Sequence, residues 1–227
     1  MFHWLEQRPF FFAVGVFLVF SFAGIVEIIP NFAKQAQPLV GTKPYTVLEL
    51  AGKNLYIKEN CNSCHSQMIR PFKSETDRYG MYSLSGEYAY DRPFLWGSKR
   101  TGPDLMRVGN YRTTDWHEHH MLDPAGTVSG SIMPKYGHMF SNIVEIDNAY
   151  GEAVTVKKVF NTPYDYDIDG DGAVDVPLGS YEEAKAHAFS QAKEIVADMK
   201  SESVKDAIVN GEIPEIVAII AYMNSLK

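Results

Sequence analysis

Cys61-Asn62-Ser63-Cys64-His65 holds both cysteines of this 227-residue chain. No other stretch constrains the fold so tightly. The pattern is that of a c-type haem attachment site, in which two thiols add to the haem vinyl groups and the following histidine ligates the iron. A Cys-x-x-Cys without further cysteines also fits a redox dithiol, half a zinc site or a small disulfide. The adjoining His65 favours haem. Two cysteines make no disulfide framework, so the compartment has to be argued from elsewhere.

Phe10 to Ile29 is apolar except for Ser21 and Glu27. As a helix, about twenty residues rise about 30 Å, the thickness of a hydrocarbon core. Pro9 suits the first turn and Pro30 the exit. A cleaved signal peptide would have a shorter apolar region and a small-x-small site, and Ile28 to Ala33 offers none. An uncleaved anchor in the lipid bilayer is therefore expected. Arg8 and the amino terminus precede the span while Lys34 and Lys43 follow it, so the basic residues do not orient it. Bacterial c-type haem is attached outside the cytoplasm, which places the body on the periplasmic side of the inner membrane. Glu27, near the end of the span, reads as hydrated at the outer interface or as the partner of a cation on another helix.

Hydrophobic residues make up 45% of the chain and charged residues 22%, as in a globular protein with a membrane segment. A formal charge of −7 excludes nucleic acid as an expected partner. Residues 1–30 read as the anchor, 31–45 with Pro38, Gly41 and Pro44 as a linker, and 46–227 as the body. A helical pattern runs from Thr46 to Ile57 and enters the haem motif. Residues 70–115 read as long ordered loop, and Asp115–Leu122 as a short helix. Between 140 and 180, Ile143-Val144-Glu145-Ile146 and Val154-Thr155-Val156 suggest a small hairpin. Tyr181–Met199 and Pro214–Leu226 read as helices.

The iron needs a second axial ligand, a His or a Met, and Met raises the potential. Met133, fixed by the following Pro134, is the best candidate. Met139 and Met121 are fallbacks, and His117, His119, His120 and His138 are further possibilities in a polar stretch. Nothing forms a nucleophile–base constellation or a nucleotide-binding loop, so no catalytic residue is expected.

The layout resembles the class I cytochrome c fold, in which the first and last helices cross closely. Gly52 and Tyr56 on one and Tyr222 on the other match that contact. Gly102-Pro103-Asp104-Leu105 resembles the loop whose proline carbonyl accepts the ligand histidine's N–H. Arg100, Arg107 and Lys99 flank it as candidates to neutralise haem propionates. The string from Cys61 to Phe72, Arg78-Tyr79-Gly80, Trp96 to Leu105, Ser131-Ile132-Met133-Pro134 and Gly24 to Pro30 resemble the mono-haem cytochrome c subunit of cbb(3)-type cytochrome c oxidases. This resemblance implies a mainly α chain: one transmembrane helix and a class I cytochrome c-like domain with long loops and a small insertion. It implies one haem c, bound through Cys61 and Cys64 and ligated by His65 and Met133. It also implies electron relay towards haem b of a catalytic haem–copper subunit, beside a di-haem cytochrome c subunit, for reduction of oxygen to water. A free membrane-anchored shuttle is the alternative function.

Residues 140–210 lie outside the recognised part and read as an insertion. Within it, Asp167, Asp169, Asp171 and Asp175 fit the start of a calcium loop. Its twelfth position is Leu178 where a bidentate Glu is expected, with Glu182 or Glu183 as substitutes. A solvated acidic turn is the alternative.

Overall fold

The computed structural model describes residues 2–33, 37–97 and 99–227; Lys34 of the charge count and Ser98 of the recognised string lie outside the described residues. The chain divides into two units, Met1–Gln37 and Pro38–Lys227.

The first unit holds α1 (Phe2–Glu6) and α2 (Pro9–Ala33). Pro9–Pro30 is long and apolar enough to cross a membrane. Phe10, Phe17, Phe20 and Phe22 are exposed along it, an arrangement stable only where the surroundings are themselves apolar. Glu27 is exposed as well. Pro30 does not end the helix, which runs on to Ala33. A proline in the last turn deletes a single donor, and little of the ladder lies beyond it to be lost.

The second unit is helical throughout, and its described residues contain no strand. Its elements are α3 (Val47–Lys58), α4 (Lys73–Tyr79), α5 (Thr114–Leu122), α6 (Pro124–Thr127), α7 (Ile146–Phe160), α8 (Tyr181–Ala197), α9 (Glu202–Val209) and α10 (Glu215–Ser225). The crossing of α3 with α10 is the centre of the body. Thr46 caps α3 through a reciprocal capping box with Glu49. On α10, Ile216, Val217, Ile219, Ile220, Tyr222 and Met223 are all buried. Each aliphatic side chain so enclosed contributes about 1.5–3 kcal/mol relative to exposure. Gly52 makes the crossing possible: a Cβ there would stand 2.0 Å from the Ala218 carbonyl oxygen and 2.9 Å from Tyr222 Cβ. Tyr222 in turn packs edge-on against Tyr56 and Tyr45, each 5.6 Å away by ring centroid.

The expected hairpin is not there. Val154-Thr155-Val156 lies inside α7, and only Ile143 keeps an extended pairing, an isolated bridge to Pro214. Their β-branched side chains favour strands, but Ile146, Ala149 and Ala153 recur at helical spacing and are buried together. α8 repeats the device with Ala184, Ala188 and Ala192. These alanine rows let α7 and α8 approach α3, and α8 also packs on α10. Residues 140–210 thus contribute to the core. The 70–115 stretch is less irregular than expected, since α4 and two short 3-10 turns interrupt it.

Residues 38–45 belong to this second unit. The Tyr45 carbonyl accepts the Tyr164 hydroxyl at 2.9 Å, and Leu39 N–H donates to the Gly86 carbonyl. Beneath them Lys53 is fully buried, its Nζ 2.5 Å from Asp91 and over the Tyr45 ring.

Candidate functional site

The site begins where α3 ends. Asn60 adopts a left-handed conformation (φ 58°, ψ 30°) and turns the chain into a 3-10 turn over Cys61–Ser63. Asparagine tolerates this backbone better than most residues. Cys64 and His65 N–H groups both donate to the Cys61 carbonyl, at 3.1 and 3.0 Å. The turn therefore sets the two thiols three residues apart on one face. Both are free, Cys61 buried and Cys64 exposed. Burial pushes the Cys61 thiol up to about 11, with Tyr136 opposing the shift. A thiol so raised is a poor redox nucleophile. The metal-competent groups of three or more among the described residues are Asp115–Glu118–His119 and Asp167–Asp169–Asp175, and neither includes a cysteine. The dithiol and zinc readings lose their support here.

His65 is held from two sides. Its Nδ1 lies 2.8 Å from the Pro103 carbonyl oxygen, which can only accept. The proton is therefore on Nδ1, and Nε2 keeps its lone pair for a metal. Gly102 lies against the ring: a Cβ would fall 2.3 Å from Cε1 and 2.8 Å from each nitrogen. Burial lowers the His65 pKa, against the pull of the Pro103 carbonyl. The neutral imidazole is the form that ligates.

Buried side chains fix the segment after His65. Asp104 accepts from the Ser66 hydroxyl at 2.6 Å, from Met68 N–H at 2.9 Å and from Met106 N–H at 2.9 Å. Leu105 N–H donates to the Ser66 carbonyl, and Gly102 N–H to that of Cys64. The helix crossing reaches the same segment. Tyr222 donates to Gln67 Oε1 at 2.8 Å, and Tyr56 to the His65 carbonyl at 3.3 Å.

The Met133 segment is brought to the motif by its neighbours. Tyr136 meets Cys61, its N–H donates to the Met121 carbonyl at 2.9 Å, and His138 Nε2 lies 3.4 Å from Glu59. Met133 is half-buried against the same apolar cluster as Cys61. Met139 is wholly enclosed in that cluster and Met121 nearly so. His119 is engaged with Asp115. His117 and His120 each keep a buried ring nitrogen without a partner.

The structure thus brings together a turn of two thiols, a histidine backed by a proline carbonyl and bordered by a glycine, and a methionine segment packed on the same cluster, the donor types that a c-type haem would use. The model for the family described as "Cytochrome C oxidase, mono-heme subunit/FixO" matches residues 2–227. The chain belongs to the FixO family. It is a mono-haem cytochrome c subunit of a cytochrome c oxidase, held to a membrane by one N-terminal apolar helix. The bounds of the match enclose 140–210. No curated protein matches the chain.

Three expectations look different inside this FixO chain. Arg100 is fully engaged: it binds Glu75 at 2.8 Å, Ser66 Oγ at 2.7 Å and the Met68 carbonyl at 2.7 Å, and approaches Asp104. Arg100, the larger cause, and Arg70 hold the Glu75 carboxyl down at about 2. Arg107 forms a two-pronged pair with Glu87 and reaches the Lys227 carbonyl. Both guanidiniums therefore brace loops with charge already answered, while Lys99 is exposed. Sequence spacing carried no sign of Glu75 and Glu87 as their partners.

In the acidic loop, carboxylates of Asp167, Asp169 and Asp175 converge, and Asp171 is not among them. Asp171 instead accepts from Ala173 N–H, while Asp167 accepts from Gly170 and Gly172 N–H. The Lys43 ammonium stands between Asp169, at 3.0 Å, and Asp175. Leu178, at the twelfth position, is buried in the core. Glu183 is used in the capping box of α8 with Ser180. The loop draws its countercharge from residues 38–45 and is tied to them by it.

Proposed function

We propose that this chain is the electron relay of a cbb(3)-type oxidase, with its haem covalently bound at Cys61 and Cys64. The Cys61 and Cys64 thiols would hold the haem as thioethers. His65 Nε2 and the Met133 thioether would ligate its iron. The haem supplies one-electron chemistry, Fe(III) to Fe(II). Two ligands from the chain would leave the iron no open site, which suits electron transfer over oxygen binding. Pro103 fixes the His65 tautomer and makes Nε2 a stronger donor to the iron. The body lies on the periplasmic side of the bacterial inner membrane, against the catalytic haem–copper subunit and beside a di-haem cytochrome c subunit. Electrons pass from it towards haem b, and oxygen is reduced elsewhere in the complex.

The observation that carries this reading is the His65–Pro103 hydrogen bond beside Gly102, next to the two thiols. The mobile-shuttle alternative needs a long free tether, and the packing of residues 38–45 into the body shortens the one available. Calcium is left out of the proposal because Lys43 already meets Asp169 and Asp175. Met133→Ala tests the ligand assignment. We expect the reduced low-spin spectrum to give way to an open-site form, or the potential to fall. An unchanged spectrum and potential would overturn Met133 as the ligand.

A further inference from the structure

We propose that Arg112, His117 and His120 form the anion-holding corner of the haem site, donating N–H groups to a haem propionate. The inference rests on the proposed haem at His65. It replaces the expected role of Arg100 and Arg107, whose charges are taken up by Glu75, Asp104 and Glu87.

Three observations on α5 carry it. First, the position is right. The residue after His120, Met121, accepts at its carbonyl from Tyr136 N–H, and both pack in one apolar cluster with Cys61, against which Met133 also lies. The C-terminal half of α5 thus borders the motif. Second, the donors are unspent. His117 is 97% buried, yet its Nε2 has no partner, and neither has His120 Nδ1. A buried nitrogen left without a partner is costly, so a retained pair of them calls for an acceptor. Third, the local charge is uncompensated. The Arg112 guanidinium lies 4.2 Å over the Trp116 ring, and His120 stacks on Trp116 at 4.5 Å. Arg112 has no carboxylate partner among the described residues. The two carboxylates on this helix are engaged elsewhere: Asp115 with Lys200 and His119, Glu118 with the N–H groups of Lys200 and Ser201.

A cation and two imidazoles with free nitrogens, kept clear of carboxylates, form a site for a carboxylate from outside the chain. A c-type haem carries two. Donation to a propionate lowers the negative charge felt at the iron and so favours Fe(II).

The full-length haem-loaded chain in detergent has one haem and gives one redox wave, which reads the effect directly. In spectroelectrochemical titration, Arg112→Gln and His120→Leu should each shift the population towards the oxidised form. The expected size is about tenfold at fixed poise, or about 59 mV for one electron. His120→Gln, which keeps an N–H donor, should recover most of the shift. A structural role alone would lower the melting temperature and leave the wave in place. Arg112 is exposed, so Arg112→Gln folds and decides the matter even where His120→Leu does not hold haem. Unmoved waves in both variants, with the c-type spectrum intact, would overturn the inference and leave the haem reading standing. A wild-type chain without a c-type spectrum would instead overturn the haem reading.

Discussion

Replacing Gly102 by alanine will drive the His65 imidazole from its place and, with the proposed His65–Met133 ligation, abolish the low-spin spectrum in most molecules. The added Cβ would sit 2.3 Å from Cε1, well inside van der Waals contact. The ring cannot retreat cheaply. Pro103 holds Nδ1 on one side, and the Gly102–Cys64 and Leu105–Ser66 backbone bonds lock the loop to the motif. Gly102 does not have a positive φ, so the penalty is purely steric. Losing an orienting neighbour of a metal-ligating histidine typically costs 10–100-fold in affinity or activity, and a direct clash belongs at the upper end, about 100-fold. The measurement is the reduced-minus-oxidised spectrum and spin state of the haem-loaded chain. Gly137→Ala is the control, since a Cβ there meets nothing within 4 Å. A Gly102→Ala protein with the wild-type spectrum would show that the ring is free to move.

Gly52→Ala will destabilise the body by about 3 kcal/mol. Overpacking a core typically costs about 1–3 kcal/mol, and the atoms in the way here are the Ala218 carbonyl at 2.0 and 2.6 Å. Backbone inside a buried helix cannot step aside as a flexible side chain can. Alanine gives back about 1 kcal/mol of helix propensity, which offsets only part of the clash. For a body of this size the melting temperature should fall by about 6–12 °C. The loss should also reach the haem site, because Tyr222 and Tyr56 connect the crossing to Gln67 and His65. Gly151→Ala on α7 adds the same methyl with nothing within 4 Å and should be neutral or stabilising. Equal melting temperatures for Gly52→Ala and wild type would mean that the helices are not in close contact.

The helices around the motif were legible because their signals are local. Thr46 with Glu49 marks the start of α3, Ser180 with Glu183 that of α8, and Pro214 that of α10. The role of Gly52 was readable too, since a glycine inside a helix is costly without a packing reason. The hairpin was misread because β-branched Val154, Thr155 and Val156 weigh towards strand, while the decisive alanines look neutral until α3 lies against them. Pro30 misled as well: it removes one donor in the last turn, and α2 still runs on to Ala33. The site divided along the same line. The thiols and His65 are announced by one short spacing and Pro103 by its own Gly-Pro-Asp-Leu string, although the bond from His65 to Pro103 spans 38 residues. The partners of Arg100 and Arg107 lie 25 and 20 residues away, and the role of α5 depends on which charges are already paired. No local pattern carries that information.

The central claim is a covalent c-type haem at Cys61 and Cys64. A haem-stained denaturing gel of the full-length chain, with a pyridine haemochrome spectrum of the same sample, tests it most directly. The expected result is one c-type haem per chain that migrates with the polypeptide and is lost in the Cys61→Ser/Cys64→Ser double variant. A wild-type chain that carries no haem through denaturation, with both thiols free to react, would contradict it.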